Sequence, residues 1–166
     1  TFMSMAFGER DGRTAPRGER FLALCKQAGF AATLSPAIET AIWMKFIMLT
    51  AMSGSTALAR LPIGRLRDDP DSLWMVEQIM RETDAVGRAR GVALPPDAVD
   101  KLLAGIRNNP ASMMASMAVD LLRGNRLELP WLAGKVVALG RELRVPTPVN
   151  ATVFAALKPH VEGASG

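Results

Sequence analysis

The sequence predicts a mainly α protein: a helical bundle preceded by a short strand–helix–strand piece. Three observations carry that prediction. From Ser35 onward, prolines and capping residues recur just ahead of apolar-periodic stretches, as they do at helix starts. The strand, helix, strand pattern of α/β architecture occurs once, at the beginning of the chain. With 49% hydrophobic residues among 166, the chain can bury the core of one domain, or of one domain and part of another. The division is expected at residue 35, with 1–35 the tail of an α/β domain and 36–166 the helical domain.

Taken in order, residues 1–7 alternate loosely enough for a strand that ends at the turn-rich Gly8-Glu9-Arg10-Asp11-Gly12. A helix from Pro16 to Ala28 is closed by Gly29, and residues 30–34 read as a second short strand. Ser35 and Pro36 then form a cap and first-turn pair for a long helix towards Arg60. Pro70-Asp71-Ser72 opens another, which continues to about Arg90 and is closed by Gly91. Pro95-Pro96-Asp97, Pro110, Pro130 and Thr147-Pro148 start four more, ending near Arg107, Arg123, Arg144 and Lys158. No fixed-period repeat is visible. The ten methionines fall mainly at helical spacing and are expected to pack in the core.

Composition removes several function classes. Cys25 is the only cysteine, so no intrachain disulfide can form, and with His160 the only histidine no metal cluster of N and S ligands can be assembled. A cytoplasmic location is expected, because nothing resembles a signal peptide. The stretch from Ala41 to Ala59 is long enough to test as a membrane span, but Lys45, Thr50, Ser53, Gly54, Ser55 and Thr56 interrupt it, so a buried helix is expected and no membrane partner. The net charge of +4 is spread over scattered arginines without a basic stripe interleaved with aromatics. Nucleic acid is therefore not expected as a partner, whereas a small anionic substrate or phosphorylated cofactor accounts for the same charge.

The most informative residue is Lys45. Between Gln27 and Ala59 the only charges are Glu39 and Lys45, and Lys45 lies inside the run Ala41-Ile42-Trp43-Met44-Lys45-Phe46-Ile47-Met48-Leu49. Its ammonium either reaches past its apolar neighbours to water or is held, partly desolvated, by a polar partner. A desolvated lysine has a lowered pKa and can act as a general acid. A second informative run is Ser112–Asp120 together with Gly124–Gly134. Ser116 and Asp120 there share a helix face, and Glu128 stands among Leu127, Leu129, Pro130 and Trp131. Glu128 is the expected partner of Lys45, with Ser116 available to hold a substrate carboxylate or carbonyl. A structural ion pair plus a capping serine explains the same residues and stays open at this point.

Trp43-x-Lys45, Ser116-Met117-x-x-Asp120, Glu128 followed by Gly134, Pro148-x-Asn150 and Gly8-Glu9-x-Asp11-Gly12 together resemble the ketopantoate reductase (2-dehydropantoate 2-reductase) family over essentially the whole chain. The resemblance implies a helical domain of the 6-phosphogluconate dehydrogenase C-terminal-domain-like type, following the last βαβ piece of a Rossmann domain. It further implies an NADPH-dependent reductase that converts ketopantoate to pantoate for pantothenate and coenzyme A synthesis, with substrate in the interdomain cleft. By this resemblance Lys45 is the general acid. Glu128 binds substrate and orients the lysine, with the cofactor nearby, and Ser116 and Ser53 contact substrate. Asp120 matches a position expected to be structural. A homo-oligomer is expected, with the N-terminal Rossmann domain of the same enzyme as a further partner.

The chain departs from that pattern in two ways. Leu49 and Met113 stand where asparagine is common in the family, and Ser53 occupies a third polar position, so the pocket is expected to be more apolar. No Gly-x-Gly-x-x-Gly occurs, so NADP is expected to bind mainly outside this chain and no cofactor-binding residue is assigned. Alternative readings are a reductase of another 2-oxo acid and a non-catalytic helical interaction module in which Lys45 and Glu128 form a structural pair.

Overall fold

The computed structural model describes residues 4–164, which form two compact units divided between Trp43 and Met44. Residues 1–3 of the expected first strand lie outside the described residues.

In the first unit, β1 (Ser4–Phe7) pairs in parallel with β2 (Ala31–Leu34), Ser4 opposite Ala31 and Phe7 opposite Leu34. Parallel neighbours need a crossover, and α1 (Pro16–Gln27) supplies it. Pro16 occupies the first turn, and Gly29, at φ +68°, turns the chain out of the helix into β2. Gly8 ends β1 where a Cβ would stand 2.1 Å from the Ser35 carbonyl oxygen, so only glycine fits. The Phe7 and Phe21 rings meet edge to face at 5.0 Å, and Glu9 accepts a forked pair of hydrogen bonds from Arg17.

Helix α2 (Ile38–Ala59) runs across the division between the units, so its residues from Met44 onward belong to the second. The Ser35 hydroxyl accepts from the Ala37 amide just ahead of it. By length and hydropathy α2 would suffice to cross a membrane, but 56% of its apolar window is buried, with Ile47, Thr50, Ala51, Ser55, Thr56 and Ala57 fully enclosed. It is a core helix, apolar nearly all round for that reason.

The second unit continues with α3 (Ile63–Arg67), α4 (Pro70–Ala89), α5 (Ala98–Asn108), α6 (Ser116–Arg123), α7 (Ala133–Leu143) and α8 (Pro148–Leu157), with 3-10 turns at Leu129–Trp131 and Lys158–His160. Helix α4 is the hub and packs against α3, α5, α7 and α8. Its buried residues Val76, Ile79, Met80, Thr83, Val86 and Gly87 recur at three and four, the stripe an amphipathic helix turns inward. Glu82 lies in the same buried surface. Its carboxylate accepts from the Val149 amide (2.8 Å), the Asn150 amide (2.8 Å) and Asn150 Nδ2 (2.7 Å). A carboxylate at the start of α8 satisfies orphan amides and complements the helix dipole, which makes its burial tolerable.

Most expected helices form close to the expected ends, and three places differ. Residues 110–115 are not helical, and α6 starts only at Ser116, because the carbonyls of Ala111 and Met113 are taken by the amides of Gly64 and Ile63. The helix expected from Pro130 is broken at Leu132 (φ −106°, ψ −104°) into a 3-10 turn and α7. Helix α3 was not expected from the sequence, since five residues are too few to show a period. The compact units divide at Trp43/Met44, inside α2, where the sequence places the boundary at residue 35.

Two outcomes are expected. Glu82→Gln leaves one oxygen for three donors and turns an amide N–H2 towards an N–H, so chemical denaturation should show a loss of about 2 kcal/mol, and an unchanged midpoint would remove Glu82 as an anchor. Asp69 caps α4: the Ser72 hydroxyl and then the Ser72 amide (2.7 Å) hold its carboxyl below the usual range. A depressed folded-state pKa stabilises the fold above the unfolded value and ceases to do so as pH falls through the folded one. The stability advantage of wild type over Asp69→Asn should therefore close on acidification in thermal melts, and a gap constant with pH would contradict this.

Candidate functional site

The site residues expected from the sequence that lie in the helical unit are placed by α2, α6 and the turn before α7. Lys45, Leu49 and Ser53 follow one another at intervals of four along α2 and share a face, each step rising about 6 Å. Exposure falls along that face: Lys45 is exposed, Leu49 is 42% exposed, and Ser53 is 4% exposed. Ser53 thus sits among the buried residues, beneath the surface that Lys45 and Leu49 present.

Ser116 is the first residue of α6 and is exposed. Its backbone is tied to α2, since the Ala115 amide donates to Thr56 Oγ1 at 3.4 Å while the same hydroxyl donates to the Met52 carbonyl at 2.6 Å. Thr56 lies within one turn of Ser53, so the residue just before Ser116 is fastened to the helix that carries Lys45. Met113, in that segment, is 39% exposed.

Glu128 is exposed and precedes the 3-10 turn Leu129–Trp131, whose Trp131 amide donates to the Glu128 carbonyl at 2.9 Å. That turn is held from below. A Cβ on Gly134 would come within 2.8 Å of Phe154 Cε2 and 3.2 Å of the Leu129 carbonyl, so glycine allows α7, α8 and the turn to close on one another.

The expectation of a partly desolvated lysine paired to Glu128 is corrected by this arrangement. Among the described residues no ion pair joins Lys45 to Glu128, and both side chains are exposed. Two hydrated charges do not need each other, and Lys45 takes the first of its two options, reaching past its apolar neighbours to water. Both ends are left able to meet a ligand.

The Asp120 carboxylate accepts from Asn125 Nδ2 at 3.0 Å and its carbonyl from the Asn125 amide at 2.9 Å, closing the turn after α6. Asn150 is likewise structural, bound to Glu82 and, through Nδ2, to the Ile79 carbonyl at 3.3 Å. Glu82 escaped the sequence reading, although its place three residues after Ile79 and four before Val86 put a carboxylate in the inward stripe of α4.

Among the described residues no group of His, Cys, Asp and Glu could hold a metal ion. After β1 the Gly12 amide donates to the Glu9 carbonyl at 3.0 Å, and Gly8 is packed against Ser35. Those glycines close a turn and offer no row of amides to a pyrophosphate at a helix start.

Comparison with known proteins agrees with the geometry. The family described as Ketopantoate reductase PanE/ApbA C terminal matches residues 37–161. A 2-dehydropantoate 2-reductase of Caulobacter vibrioides is 31% identical over 142 residues, covering 86% of this chain and 48% of that protein. A ketopantoate reductase of the PanE/ApbA family from Ralstonia eutropha superposes with a TM-score of 0.83 at 29% identity, covering 95% of this chain and 51% of that one. A dimeric ketopantoate reductase from Staphylococcus aureus shares the fold, with a TM-score of 0.83 at 22% identity, over 89% of this chain and 51% of that one. The chain thus spans about half the length of the relatives it matches. Matched over residues 37–161, the chain belongs to the ketopantoate reductase family, as that family's C-terminal domain.

Proposed function

We propose that this chain is the substrate-binding half of an NADPH-dependent 2-oxo acid reductase, with 2-dehydropantoate the first candidate substrate and pantoate its product. The observation that carries the reading is Lys45: an exposed ammonium on a helix whose only other charge is Glu39, without an ion pair among the described residues, in a domain of the ketopantoate reductase family. The cofactor would supply hydride to the carbonyl carbon, and no residue of this chain is assigned to holding it.

The chain's own residues do the rest. Lys45 donates a hydrogen bond to the ketone oxygen and gives up its proton as that oxygen becomes an alcohol. Its positive charge also stabilises the alkoxide that develops before the proton arrives. Ser116, at the exposed start of α6, donates its hydroxyl to the substrate carboxylate, and Glu128 accepts from a substrate hydroxyl while orienting the ammonium once substrate bridges them. Ser53, on the same face of α2 but in its buried part, supports this surface from within. We further propose, in keeping with the family, a cytoplasmic homo-oligomer whose nucleotide is bound by a Rossmann domain.

A second substrate class is favoured by Leu49 and Met113. At 42% and 39% exposure they offer apolar surface beside Lys45 and Ser116, where a polar acid would gain nothing. A 2-oxo acid with an apolar side chain fits that surface better than a hydroxylated one. Kinetics of the full-length protein on both kinds of acid would decide: kcat/KM should favour 2-dehydropantoate if the hydroxyl contact to Glu128 dominates, and the apolar acids if Leu49 and Met113 do. Absence of turnover with every 2-oxo acid would leave the helical unit as a non-catalytic interaction module.

Lys45→Ala in the full-length enzyme should lower kcat by about 10²-fold or more while NADPH affinity stays unchanged, as for loss of a positioned acid. Turnover near wild type would remove Lys45 from the reaction. Glu128→Gln should raise KM and lower kcat together, because it contacts both substrate and lysine. A variant that melts earlier at unchanged kcat/KM would make Glu128 a purely structural residue.

A further inference from the structure

We infer that Arg67, at the end of α3, is a positioning residue that holds the run 109–115 in place and so sets Met113 and Ser116 against the substrate. The inference rests on the reading of Ser116 as a substrate-binding residue. Residues 109–115 link α5 to α6 without regular structure, and Ala111, Ser112 and Met113 are exposed. Such a run would ordinarily be loose. Here it is fastened at nearly every second residue.

Arg67 Nη1 donates to the carbonyls of Ile106 (3.3 Å), Arg107 (3.0 Å) and Asn109. Ile106 and Arg107 lie in the last turn of α5 and Asn109 just past it; the Ile106 carbonyl also accepts from the Asn109 amide at 3.2 Å, and the cation complements the negative end of the helix dipole. The side chain of Arg67 is only 19% exposed, so water cannot easily replace it. The next attachments come from the start of α3, where the Gly64 amide donates to the Ala111 carbonyl at 3.0 Å and the Ile63 amide to the Met113 carbonyl at 2.9 Å. The last is the Ala115 amide on Thr56 Oγ1.

Glycine at 64 is required for this fit. A Cβ there would stand 2.7 Å from Ala111 Cβ, 2.8 Å from its carbonyl oxygen and 2.9 Å from its Cα, against backbone that can only yield by moving the run. Five residues of α3 thus bind the end of α5 through one guanidinium and the following segment through two amides. A substrate serine needs its position set to a fraction of an ångström, and α3 fixes the residues that lead directly into Ser116.

The test uses the full-length enzyme with Arg67→Ala, Arg67→Lys and Gly64→Ala. Arg67→Ala should raise KM for the 2-oxo acid by about 10-fold, leave kcat within a few-fold and NADPH affinity unchanged, and speed hydrogen exchange of the amides in 111–116. Arg67→Lys keeps the charge but not the planar fork and should recover part of the loss. Gly64→Ala displaces the same run from the other side and should reproduce the rise in KM, which keeps the proposal testable if Arg67→Ala does not fold. A lower melting temperature with unchanged KM and unchanged exchange at 111–116 would overturn it and leave Arg67 as a helix cap. If wild type reduces no 2-oxo acid, the functional reading fails and with it the claim that Arg67 positions a substrate serine. Exchange at 111–116 would then separately decide whether Arg67 fastens the run.

Discussion

The Glu82 carboxylate, buried on α4 and shared among the first amides of α8 and the Asn150 side chain, is the interaction on which the helical unit depends. A buried carboxylate without donors would be costly, so α8 must start where it does, with Pro148 in its first turn and Asn150 facing α4. With α8 so placed, Phe154 closes on Gly134, and the turn Leu129–Trp131 is pinned between α7 and α8. Glu128 precedes that turn directly. A polar contact deep in the unit thereby governs where an exposed candidate site residue stands.

The same logic operates on the other side of the site. Helix α2 is buried without a break from Thr50 to Ala57, and two of its hydroxyls there turn back to its own carbonyls, Ser55 to Ala51 and Thr56 to Met52. Thr56 then has a lone pair left for the Ala115 amide, which ties the start of α6 to the helix of Lys45. A buried hydroxyl far from any reaction thus helps set the spacing between two candidate site residues. Gly54 has a comparable part, since a Cβ there would come within 3.1 Å of Val153 Cγ1 and press α8 away from α2.

The helices were legible in the sequence where local chemistry decides them: Pro16, Pro70 and Pro148 stand in first turns, and Gly29 and Gly91 lie just past helix ends with positive φ. Residues 110–115 were not, because the carbonyls that keep them out of a helix are bonded to amides of Ile63 and Gly64 nearly fifty residues earlier, and no local signal carries that information. The site was legible as a set of residues and less so as a geometry. Lys45 was marked by its apolar run, but periodicity cannot say whether such a lysine is enclosed or reaches water, and α2 leaves it exposed. Glu128 looked enclosed among Leu127, Leu129, Pro130 and Trp131, yet Leu127 and Leu129 turn inward while Pro130 and Trp131 remain exposed beside it. Ser53, a substrate contact by family resemblance, is 4% exposed, and its burial is fixed by neighbours the sequence does not name.

Exposed and unpaired to each other, Lys45 and Glu128 have no stabilising pair to lose, so a coupling between them would have to come through a ligand. That separates catalysis from structure more sharply than either residue alone. The most direct measurement is a double-mutant cycle in the full-length protein, comparing kcat/KM of Lys45→Ala, Glu128→Gln and the combined variant on the best 2-oxo acid. If both act on one bound substrate, the combined variant is hardly slower than the slower single variant, with a coupling of about 1 kcal/mol or more. Strictly additive losses would contradict the account, because they would mean that the two residues serve the enzyme independently and share no substrate.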